Sequence, residues 1–505
     1  MTRSPVRRAL LSTHDKSGLV PFGSRLAASS VELIASGGTA AALARQGLEV
    51  TPVEAITGSQ EMLGGRVKTL HPAIAAGILA DRSDPGHLAE LEAAGIAPID
   101  LVVVDLYPFQ AAAGRPEREL VDLVDIGGVT LLRAAAKNHA WVGAVSSREQ
   151  YDEVAAAVEA GGLPEELRLD LAREAFFRTA AFDAEVLVWL EGREERTPER
   201  AVLPLRRVRR LRYGENPHQE ASLYRLQGST PWWMGTRQLQ GKEPSFNNLL
   251  DAEAAWRHAT AHEAPTSVIV KHTNPCGVAS RNEIAEAFES AWDCDPLSAY
   301  GGVVALNRLI DVDTAAFVVE RFIEVIVAPR IAPQAAGVLA RRSNLRVLEA
   351  LPPLPEHLDF RGILGGFLVQ EPDVIEPAEW KVVSRREPTA AEVVDLRFGW
   401  VVVAFAASNA VVIASRRAAV GIGAGDPSRI GAAERALQRA GDRSRGAVAA
   451  SDGFLPFRDT VDALSAAGVT ALIEPGGSIR DREVIEAADA NDMALLFTGR
   501  RHFRH

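Results

Sequence analysis

The feature that most constrains this chain is an alternation of short apolar runs with alanine-rich stretches, which begins near its start. The run "VELIAS" leads through Gly-Gly-Thr into "AAALARQG", and a second run, "IDLVVVDLYPF", ends in Tyr-Pro. Short apolar runs indicate buried strands, and alanine-rich stretches between them indicate helices. The pattern therefore predicts an α/β fold, in which ligands bind at the carboxyl ends of the strands.

The alternation lapses in the charged segment 188–212 and resumes at "TSVIVKH". A chain of 505 residues is too long for one ordinary core, so several domains are expected. Proline-rich segments interrupt the second part of the chain as well. We therefore predict three domains or subdomains, which are residues 1–195, 196–375 and 376–505.

Composition limits the classes of partner. A net charge of −11 argues against a general nucleic-acid binder. The two cysteines, Cys276 and Cys294, are too few for a disulfide scaffold or a four-cysteine zinc site. Apolar stretches such as Trp400–Ala407 are too short to cross a bilayer, and the first residues make a poor signal peptide. We expect a cytoplasmic enzyme of small molecules, with no nucleic-acid or membrane partner.

Three polar clusters follow glycine-rich turns in the first third of the chain. "SGGT" (36–39) lies between a strand and a helix, where backbone amides can hold a phosphate, although a structural turn looks the same. "GGRVKTLHP" (64–72) and "DIGGVTLLRAAAKNH" (125–139) add further groups. Each alone also fits solvated lysines or a capping aspartate, but together they favour a phosphorylated small molecule. The residues concerned are Arg66, Lys68, Thr69, Asp125 and Lys137.

The segment "VIVKHTNPCG" ends an apolar run on Lys271 and His272. Adjacent strand residues point to opposite faces, so both reach one ligand only where the backbone turns, which we expect Asn274-Pro275 to enforce. A histidine there can accept a proton at neutral pH, and a neighbouring ammonium can stabilise developing negative charge. The alternative is a histidine with a structural hydrogen bond.

Two further glycine or cysteine motifs do not support a cofactor. "GIGAG" (421–425) lacks the third glycine of a dinucleotide fingerprint, because Asp426 stands at that position. "NPCG" matches part of a zinc-deaminase signature, but no second cysteine follows Cys276 at the required spacing. Neither a Rossmann cofactor nor zinc is therefore expected.

Many long segments together carry a resemblance to a known family. They include "DKSGL", "RVKTLHP", "LYPF", "DIGGVTLLRAAAKNH", "RYGENPHQ", "FNNLLDAEAAW", "KHTNPCGVA", "GIGAGDPSRI", "PGGSIRDREVI" and "RRHFRH". By these the chain resembles, end to end, the bifunctional enzymes that join phosphoribosylaminoimidazolecarboxamide formyltransferase to inosine monophosphate (IMP) cyclohydrolase. The resemblance implies a methylglyoxal-synthase-like α/β domain carrying the cyclohydrolase. It further implies two cytidine-deaminase-like α/β subdomains without zinc that carry the formyltransferase.

The resemblance also implies the partners and the transferase residues. It implies 10-formyltetrahydrofolate as cosubstrate and a homodimer with shared transferase sites, and it leaves open a monovalent cation such as potassium. His272 would be the general base, with Lys271 beside the formyl oxygen or supporting the histidine. Arg212 and Tyr213 would hold the nucleotide, Gly301 would let the backbone approach it, and Glu324 and Asn409 would bind its polar edge. Arg429 and Arg501 would meet the phosphate, and Phe454, Asp459 and Ser478 would line the folate and nucleotide pockets.

For the cyclohydrolase, the resemblance implies that Lys137 shuttles a proton, with Tyr107, Asp125 and Lys68 around the reacting groups. The chemistry is intramolecular and depends on positioning. The implied seats for phosphate and ribose are Ser12, Lys16, Ser36, Gly37, Gly38, Thr39, Arg66 and Thr69.

Six residues depart from the family pattern, and none of them is a proposed catalytic group. With these departures two alternatives to a bifunctional enzyme stay open. One is a nucleotide-binding regulatory protein without catalysis, and the other is an enzyme with only one activity, in which the cyclohydrolase is the activity more open to change. Retention of Lys137, Lys271 and His272 counts against the regulatory alternative. The departures are His14, Asp105, Tyr300, Ala407, Asp426 and Gly453.

Overall fold

A computed structural model describes residues 3–107, 109, 114–192, 197–354, 358–375 and 380–505. The chain forms two units, one of residues 1–206 with 226–228 and one of residues 207–225 with 229–505. The predicted α/β class is confirmed, whereas the domain boundaries at residues 195 and 375 stay predictions. Within the described ranges, no helix is both long enough and apolar enough to cross a membrane.

The first unit alternates strands and helices as its sequence pattern predicts. Its strands are Arg3–Ser4 (β1), Arg8–Thr13 (β2), Glu32–Ala35 (β3), Thr51–Pro52 (β4), Leu101–Asp105 (β5), Gly143–Val145 (β6) and Leu163–Pro164 (β7). Its helices are Leu19–Ala28 (α1), Gly37–Ala44 (α2), Val53–Thr57 (α3), Pro72–Leu79 (α4), Pro85–Ala93 (α5), Glu117–Asp122 (α6), Gly127–Lys137 (α7), Tyr151–Glu159 (α8) and Glu165–Glu191 (α9).

Five parallel strands form the sheet of this unit in the order β4-β3-β2-β5-β6. Alternate residues of the central strands face opposite sides: Leu11 packs in a core with α1, and Leu10 packs in a second core with α7. Covered on both faces, the strands are apolar throughout, which explains the continuous runs in the sequence. The chain turns from one side of β2 to the other between β4 and β5, so a ligand crevice is expected between the ends of β2 and β5.

The second unit carries the remaining elements. The strands are Leu205–Leu211 (β8), Ala221–Leu226 (β9), Arg237–Gln240 (β10), Thr266–Lys271 (β11), Asn274–Ser280 (β12), Gly302–Leu306 (β13), Ile323–Ala328 (β14), Arg346–Glu349 (β15), Asp359–Ile363 (β16), Gly366–Gln370 (β17), Lys381–Val382 (β18), Val411–Ser415 (β19), Ala418–Gly423 (β20), Val448–Ser451 (β21), Ala471–Glu474 (β22) and Ala494–Phe497 (β23). The helices are Phe246–Thr260 (α10), Ile284–Trp292 (α11), Pro296–Ala299 (α12), Val312–Val319 (α13), Pro333–Leu339 (α14), Ala390–Ala404 (α15), Arg429–Ala440 (α16), Asp459–Ala466 (α17) and Asp481–Ala490 (α18).

A twelve-stranded sheet in the second unit consists of two halves with the same topology. Each half has a hairpin (β11–β12 or β19–β20), three parallel strands (β13–β15 or β21–β23) and an antiparallel edge strand (β10 or β18). The halves join where β12 pairs with β20. One core, containing Trp256 of α10 and Val402 of α15, spans both halves, while the opposite face has a separate core for each half.

Glycines in the two hairpins allow helices to approach the sheet closely. A side chain at Gly277 would overlap the carbonyl oxygen of Ala291 in α11, and one at Gly421 would overlap that of Ala436 in α16. Gly277 and Gly421 thus serve helix packing at equivalent places in the two halves.

We expect Gly277→Ala to destabilise the second unit by about 1–3 kcal/mol or more, because the added methyl group overpacks a backbone contact. Urea unfolding followed by tryptophan fluorescence measures the change. Gly337→Ala is the matched control, since its added methyl group would meet no atom within 4 Å. That control should be neutral or stabilising, because alanine is preferred within a helix. Equal stability of Gly277→Ala and wild type would contradict the packing argument.

Candidate functional site

The first unit has a cleft of about 580 Å³ at the carboxyl ends of β2 and β5, where the strand order changes direction. This is the crevice that the topology predicts for a ligand. The cleft contains His14 and Asp105, the two departures from the family pattern in the first unit. Other residues that line it are Lys16, Ser147, Tyr151 and Arg178.

Lys16 connects this cleft to the start of α2. Its ammonium donates hydrogen bonds to the carbonyl oxygen of Thr13 and, at 3.1 Å, to Thr39 Oγ1. Burial lowers the pKa of Lys16, while the nearby Asp105 acts in the opposite direction. A partly desolvated ammonium at a helix start attracts an anion more strongly than one in water.

The "SGGT" turn provides backbone amides at the same place. Ser36 precedes α2 with extended backbone, and Gly37 adopts a left-handed conformation with φ of 51°. A side chain at Gly38 would meet no atom within 4 Å. The first amides of a helix have no partners within it. The turn therefore offers donors to open space, as a phosphate site requires.

The 65–69 loop brings the starts of α2 and α7 together. A Cβ atom at Gly37 would lie 3.3 Å from Lys68 Nζ, and one at Gly127 would lie 3.2 Å from Thr69 Oγ1. Lys68 also forms a 3.0 Å ion pair with Glu61. The "SGGT" turn, Lys68, Thr69 and the start of α7 thus share one end of the sheet.

Asp125 precedes α7 at this end, as the sequence indicates. Its Oδ1 accepts the Gly128 amide at 2.7 Å, and burial raises the pKa of the Asp125 carboxyl group. Tyr107 follows β5 and contacts His14 edge-on, with 5.0 Å between ring centroids. Ser12 is half-buried near the end of β2.

Two predicted residues lie apart from this group within the chain. Arg66 is exposed and pairs with Asp122. Lys137 ends α7, about 15 Å along the helix axis from Gly127. The next residue, Asn138, donates to the carbonyl oxygen of Ala80 beyond the far end of α4. Within one chain, Lys137 therefore lies at the opposite end of the sheet's strands from Asp125. Its catalytic role stays a prediction.

In the second unit, Lys271 is the last residue of β11, and its ammonium is fixed. Nζ donates to the carbonyl oxygens of Tyr300 at 2.9 Å and Gly301 at 3.1 Å. Gly301 has a left-handed conformation, and a Cβ atom there would lie 3.2 Å from Lys271 Nζ and 3.1 Å from Phe322. Glycine is thus required for the close approach of this backbone to the ammonium.

His272 and Thr273 themselves form the two-residue turn between β11 and β12, both with positive φ. The expected role of Asn274-Pro275 in the turn is wrong, since both residues lie in β12 and pair with β11. Asp251 of α10 stabilises the turn by accepting the Thr273 amide at 2.7 Å and the His272 amide. The His272 side chain is exposed and has no hydrogen bond to any described residue.

The hairpin is linked to the second half of the sheet. Asn274 Oδ1 accepts the Ala407 amide at 2.9 Å. Two residues on, Asn409 donates through Nδ2 to the carbonyl oxygen of Asp426 at 2.9 Å. The predicted base and the predicted nucleotide ligand Asn409 therefore belong to one connected region, in which Asp426 contributes its backbone.

A second cluster surrounds Glu324 at the start of β14. Its carboxylate accepts a hydrogen bond from Asn248 at 3.0 Å. Arg346 interacts electrostatically with Glu324, Arg212 and Tyr213, and burial lowers the pKa of Arg346. The structure therefore brings three predicted residues together around Arg346, which sequence analysis missed.

Arg429, predicted to meet a phosphate, is buried and ion-paired with the buried Asp452. The departure at Gly453 leaves room for this pair and for a neighbouring ring. A Cβ atom at Gly453 would lie 2.5 Å from Arg429 Nη2 and from the Phe503 ring. Arg501 stacks on the same ring, with 4.5 Å from its Cζ to the centroid. Because Arg429 is already paired with Asp452, less of its positive charge is available to a ligand. The role of Arg429 in phosphate binding stays a prediction.

The remaining predicted residues lie on loops at the carboxyl ends of β21 and β22. Phe454 is 38% exposed, which leaves its ring accessible to a ligand. Asp459 begins α17, and the Ser478 amide donates to Asp481 at 2.8 Å. Glu474, the last residue of β22, lies beside these loops and is fully buried. Sequence analysis missed it and Asp251, because neither belongs to a local pattern that marks a site.

Comparisons with known proteins cover the whole chain. A family described as AICARFT/IMPCHase bienzyme matches residues 135–439, and the MGS-like domain matches residues 18–130. The bifunctional purine biosynthesis protein PurH of Cyanothece sp. is 48% identical over 98% of this chain and 99% of its own length. PurH of Mycobacterium leprae is 45% identical over 100% of this chain and 98% of its own length. A solved structure, that of ForH, is 36% identical and covers 36% of this chain and 94% of its own, with a TM-score of 0.32.

Proposed function

The chain belongs to the AICARFT/IMPCHase bienzyme family, and from this premise we propose how its two candidate sites divide the final steps of purine biosynthesis. The enzyme transfers a formyl group from a folate-type donor to aminoimidazolecarboxamide ribonucleotide (AICAR), and then closes the ring of formyl-AICAR to give IMP. The observation that carries this function is the 45–48% identity to bifunctional relatives over 98% or more of the chain. The assignment of residues to steps is our proposal.

His272 removes the proton from the AICAR amine as the amine nitrogen attacks the formyl carbon of 10-formyltetrahydrofolate. The bond between the amine nitrogen and the formyl carbon forms, and the formyl oxygen gains negative charge. As that charge collapses, the bond from the formyl carbon to N10 breaks, and N10 takes the proton from His272 as tetrahydrofolate leaves. An exposed ring on a turn whose backbone amides are held by a side-chain carboxylate of another element can meet an incoming amine without rearrangement of the sheet. The carboxylate contacts of Asp251 with the His272–Thr273 turn support this role.

Lys271 stabilises the charge on the formyl oxygen. An ammonium has three N–H donors. Two of them point to the carbonyl oxygens of Tyr300 and Gly301, and the third remains for the ligand. Because the two carbonyl contacts fix the ammonium before the substrate binds, its stabilisation of the transition state requires little reorganisation.

Ring closure takes place in the first unit. The carboxamide nitrogen of formyl-AICAR attacks the formyl carbon and loses one proton, and the formamide nitrogen loses a second proton as the ring C=N bond forms. The formyl oxygen takes up two protons and departs as water. Lys16 and the start of α2 hold the phosphate, while Asp125 and Lys68 exchange the protons. The short distances from Lys68 to the "SGGT" turn and from Asp125 to α7 support this assignment.

We also propose that the enzyme is a cytoplasmic homodimer. An apolar hairpin supports the dimer, because the side chains of Leu364, Phe367 and Leu368 in and beside β16–β17 are at least 60% exposed. Such a patch on a soluble protein indicates an interaction surface. Light scattering on purified protein tests the oligomeric state, and a monomer at micromolar concentration would contradict the proposal.

The function is tested by incubating purified protein with AICAR and 10-formyltetrahydrofolate while tetrahydrofolate and IMP are followed separately. We expect both products. Release of tetrahydrofolate with accumulation of formyl-AICAR would mean that the enzyme has only the transferase activity. His14 and Asp105 would then be the first residues to test as the cause of the lost cyclohydrolase activity. Nucleotide binding without turnover would instead favour a regulatory protein.

The departure at Asp105 leads to a pH-dependent prediction. Burial raises the pKa of this carboxyl group. Below its pKa the group is neutral, and above it a carboxylate stands beside Lys16 and weakens phosphate binding. We expect Asp105→Asn to lower the KM for formyl-AICAR by about two- to tenfold near pH 8, and by less as the pH falls toward the raised pKa of Asp105. Initial rates of cyclisation across this pH range measure the change.

Asp152→Asn is the matched control for this prediction. It removes a fully exposed carboxylate from the same unit, so the KM should stay at the wild-type value. An unchanged KM for Asp105→Asn near pH 8 would show that the Asp105 charge does not reach the phosphate.

A further inference from the structure

Glu474, the last residue of β22, is a buried carboxyl group that no part of the proposed mechanism uses. Its exposed fraction is 0%. Oε2 accepts two backbone amides, that of Leu455 at 3.2 Å and that of Gly476 at 3.0 Å. Oε1 is buried and has no hydrogen-bond partner among the described residues. Such a group is costly to bury, so its contacts need an explanation.

The two amides belong to two different loops of the formyltransferase region. Leu455 follows Phe454 in the loop after β21, and Gly476 precedes Ser478 in the loop after β22. Leu455 is itself fully buried in the core of the second half, which fixes the base of the exposed Phe454. One carboxyl oxygen therefore connects the two segments that carry the predicted folate and nucleotide contacts.

We propose that Glu474 is a positioning residue for substrate binding in the formyltransferase site, because it holds the Phe454 loop and the Ser478 loop at a fixed separation. The proposal rests on the proposed placement of that site. Each loop has contacts of its own: Ser451 Oγ donates to the carbonyl oxygen of Gly453 at 2.8 Å, and Asp481 accepts the Ser478 amide at 2.8 Å. Those contacts shape each loop separately, whereas the Glu474 carboxyl group joins one loop to the other.

The charges around Glu474 make this contact sensitive to pH near neutrality. Burial raises the pKa of Glu474 to about 7, and Asp481 contributes in the same direction. The two amides and Arg429, whose guanidinium pairs with Asp452, act against this rise. The neutral acid is therefore the form that is favoured while the Phe454 loop and the Ser478 loop are both held by Glu474. As pH rises through about 7, ionisation favours arrangements in which the carboxylate reaches water, so the loops separate more readily.

The test compares Glu474→Gln and Glu474→Ala with wild type, with kcat and KM for formyl transfer measured from about pH 6 to about pH 8.5. For wild type we expect the KM for 10-formyltetrahydrofolate to rise with pH through about 7. Glu474→Gln keeps a neutral acceptor of similar shape, so its KM should stay level. Glu474→Ala should raise the KM about tenfold or more at every pH, with kcat within about threefold. Glu486→Gln, an exposed carboxylate of α18, should behave as wild type.

Two results would overturn the inference: a Glu474→Gln enzyme that keeps the wild-type pH profile, or a folded Glu474→Ala enzyme with wild-type KM. Thermal unfolding by circular dichroism identifies a variant that fails to fold, and in that case the Glu474→Gln profile decides. Phe454→Ala separates this inference from the placement of the site. If Phe454→Ala raises the KM and Glu474→Ala does not, only the positioning role fails; if Phe454→Ala leaves the KM unchanged, the site itself is misplaced.

Discussion

His272→Ala is expected to lower the rate of formyl transfer by about 10²–10⁴-fold, the usual contribution of a general base, and to leave cyclisation unchanged. The loss should appear in kcat, because the side chain acts on the proton and the turn is stabilised by Asp251 through backbone amides. His272→Asn is the better matched variant, since asparagine tolerates the left-handed conformation of this position. Tetrahydrofolate release from 10-formyltetrahydrofolate and AICAR measures the first activity, and IMP formation from added formyl-AICAR measures the second.

His87→Ala is the control for loss of a histidine, since His87 is a half-exposed residue of α5 in the first unit. It should leave both activities unchanged. The proposal fails if His272→Asn retains more than about half of the wild-type transfer rate, since a general base contributes far more than that. Loss of both activities in a variant with the native circular dichroism spectrum would instead contradict the separation into two sites.

Several strands that are buried on both faces were predictable from their apolar runs. "GGVVALN", "IEVIVAP" and "NAVVIAS" predict strands, and the structure confirms them as β13, β14 and β19. The runs "VAAS" (β21) and "ALLF" (β23) are also largely buried, but with four residues each they are too short to be distinguished from a helix segment. The common topology of the two halves agrees with the two similar subdomains that the family resemblance implies, whereas no short-period repeat in the residues indicates it.

The hairpin at His272 shows why part of the site could not be predicted. A two-residue hairpin turn usually contains glycine or asparagine. The residues His-Thr therefore gave no turn signal, and the turn was predicted at Asn274-Pro275 instead. The left-handed conformations are tolerated because Asp251 accepts both amides of the turn. That contact joins residues more than twenty positions apart, and no local spacing predicts it. The interactions of Arg346 with Arg212 and Tyr213, and the contact of Glu474 with Leu455, likewise join distant positions.

The second large effect is expected in the first unit, where Asp125→Asn should lower the rate of cyclisation by about 10²-fold or more and spare formyl transfer. Asparagine can still accept the Gly128 amide through its side-chain oxygen, so the start of α7 should stay intact while the charge and the proton-accepting group are lost. Burial raises the pKa of Asp125, so if its carboxylate is the base, wild-type cyclisation should decline as pH falls through that raised pKa. The pH profile of IMP formation from formyl-AICAR measures both effects.

Lys137→Ala and Lys68→Ala in the same assay decide which lysine exchanges protons with the substrate. Lys68 lies at the Asp125 end of the sheet and Lys137 at the other, so the geometry of one chain predicts the larger loss, about 10²-fold, for Lys68→Ala. The family resemblance predicts it for Lys137→Ala. A loss confined to Lys137→Ala, with native thermal stability, would return the proton shuttle to Lys137. Because its side chain cannot extend some 15 Å, the cyclohydrolase site would then need a contribution from a second chain.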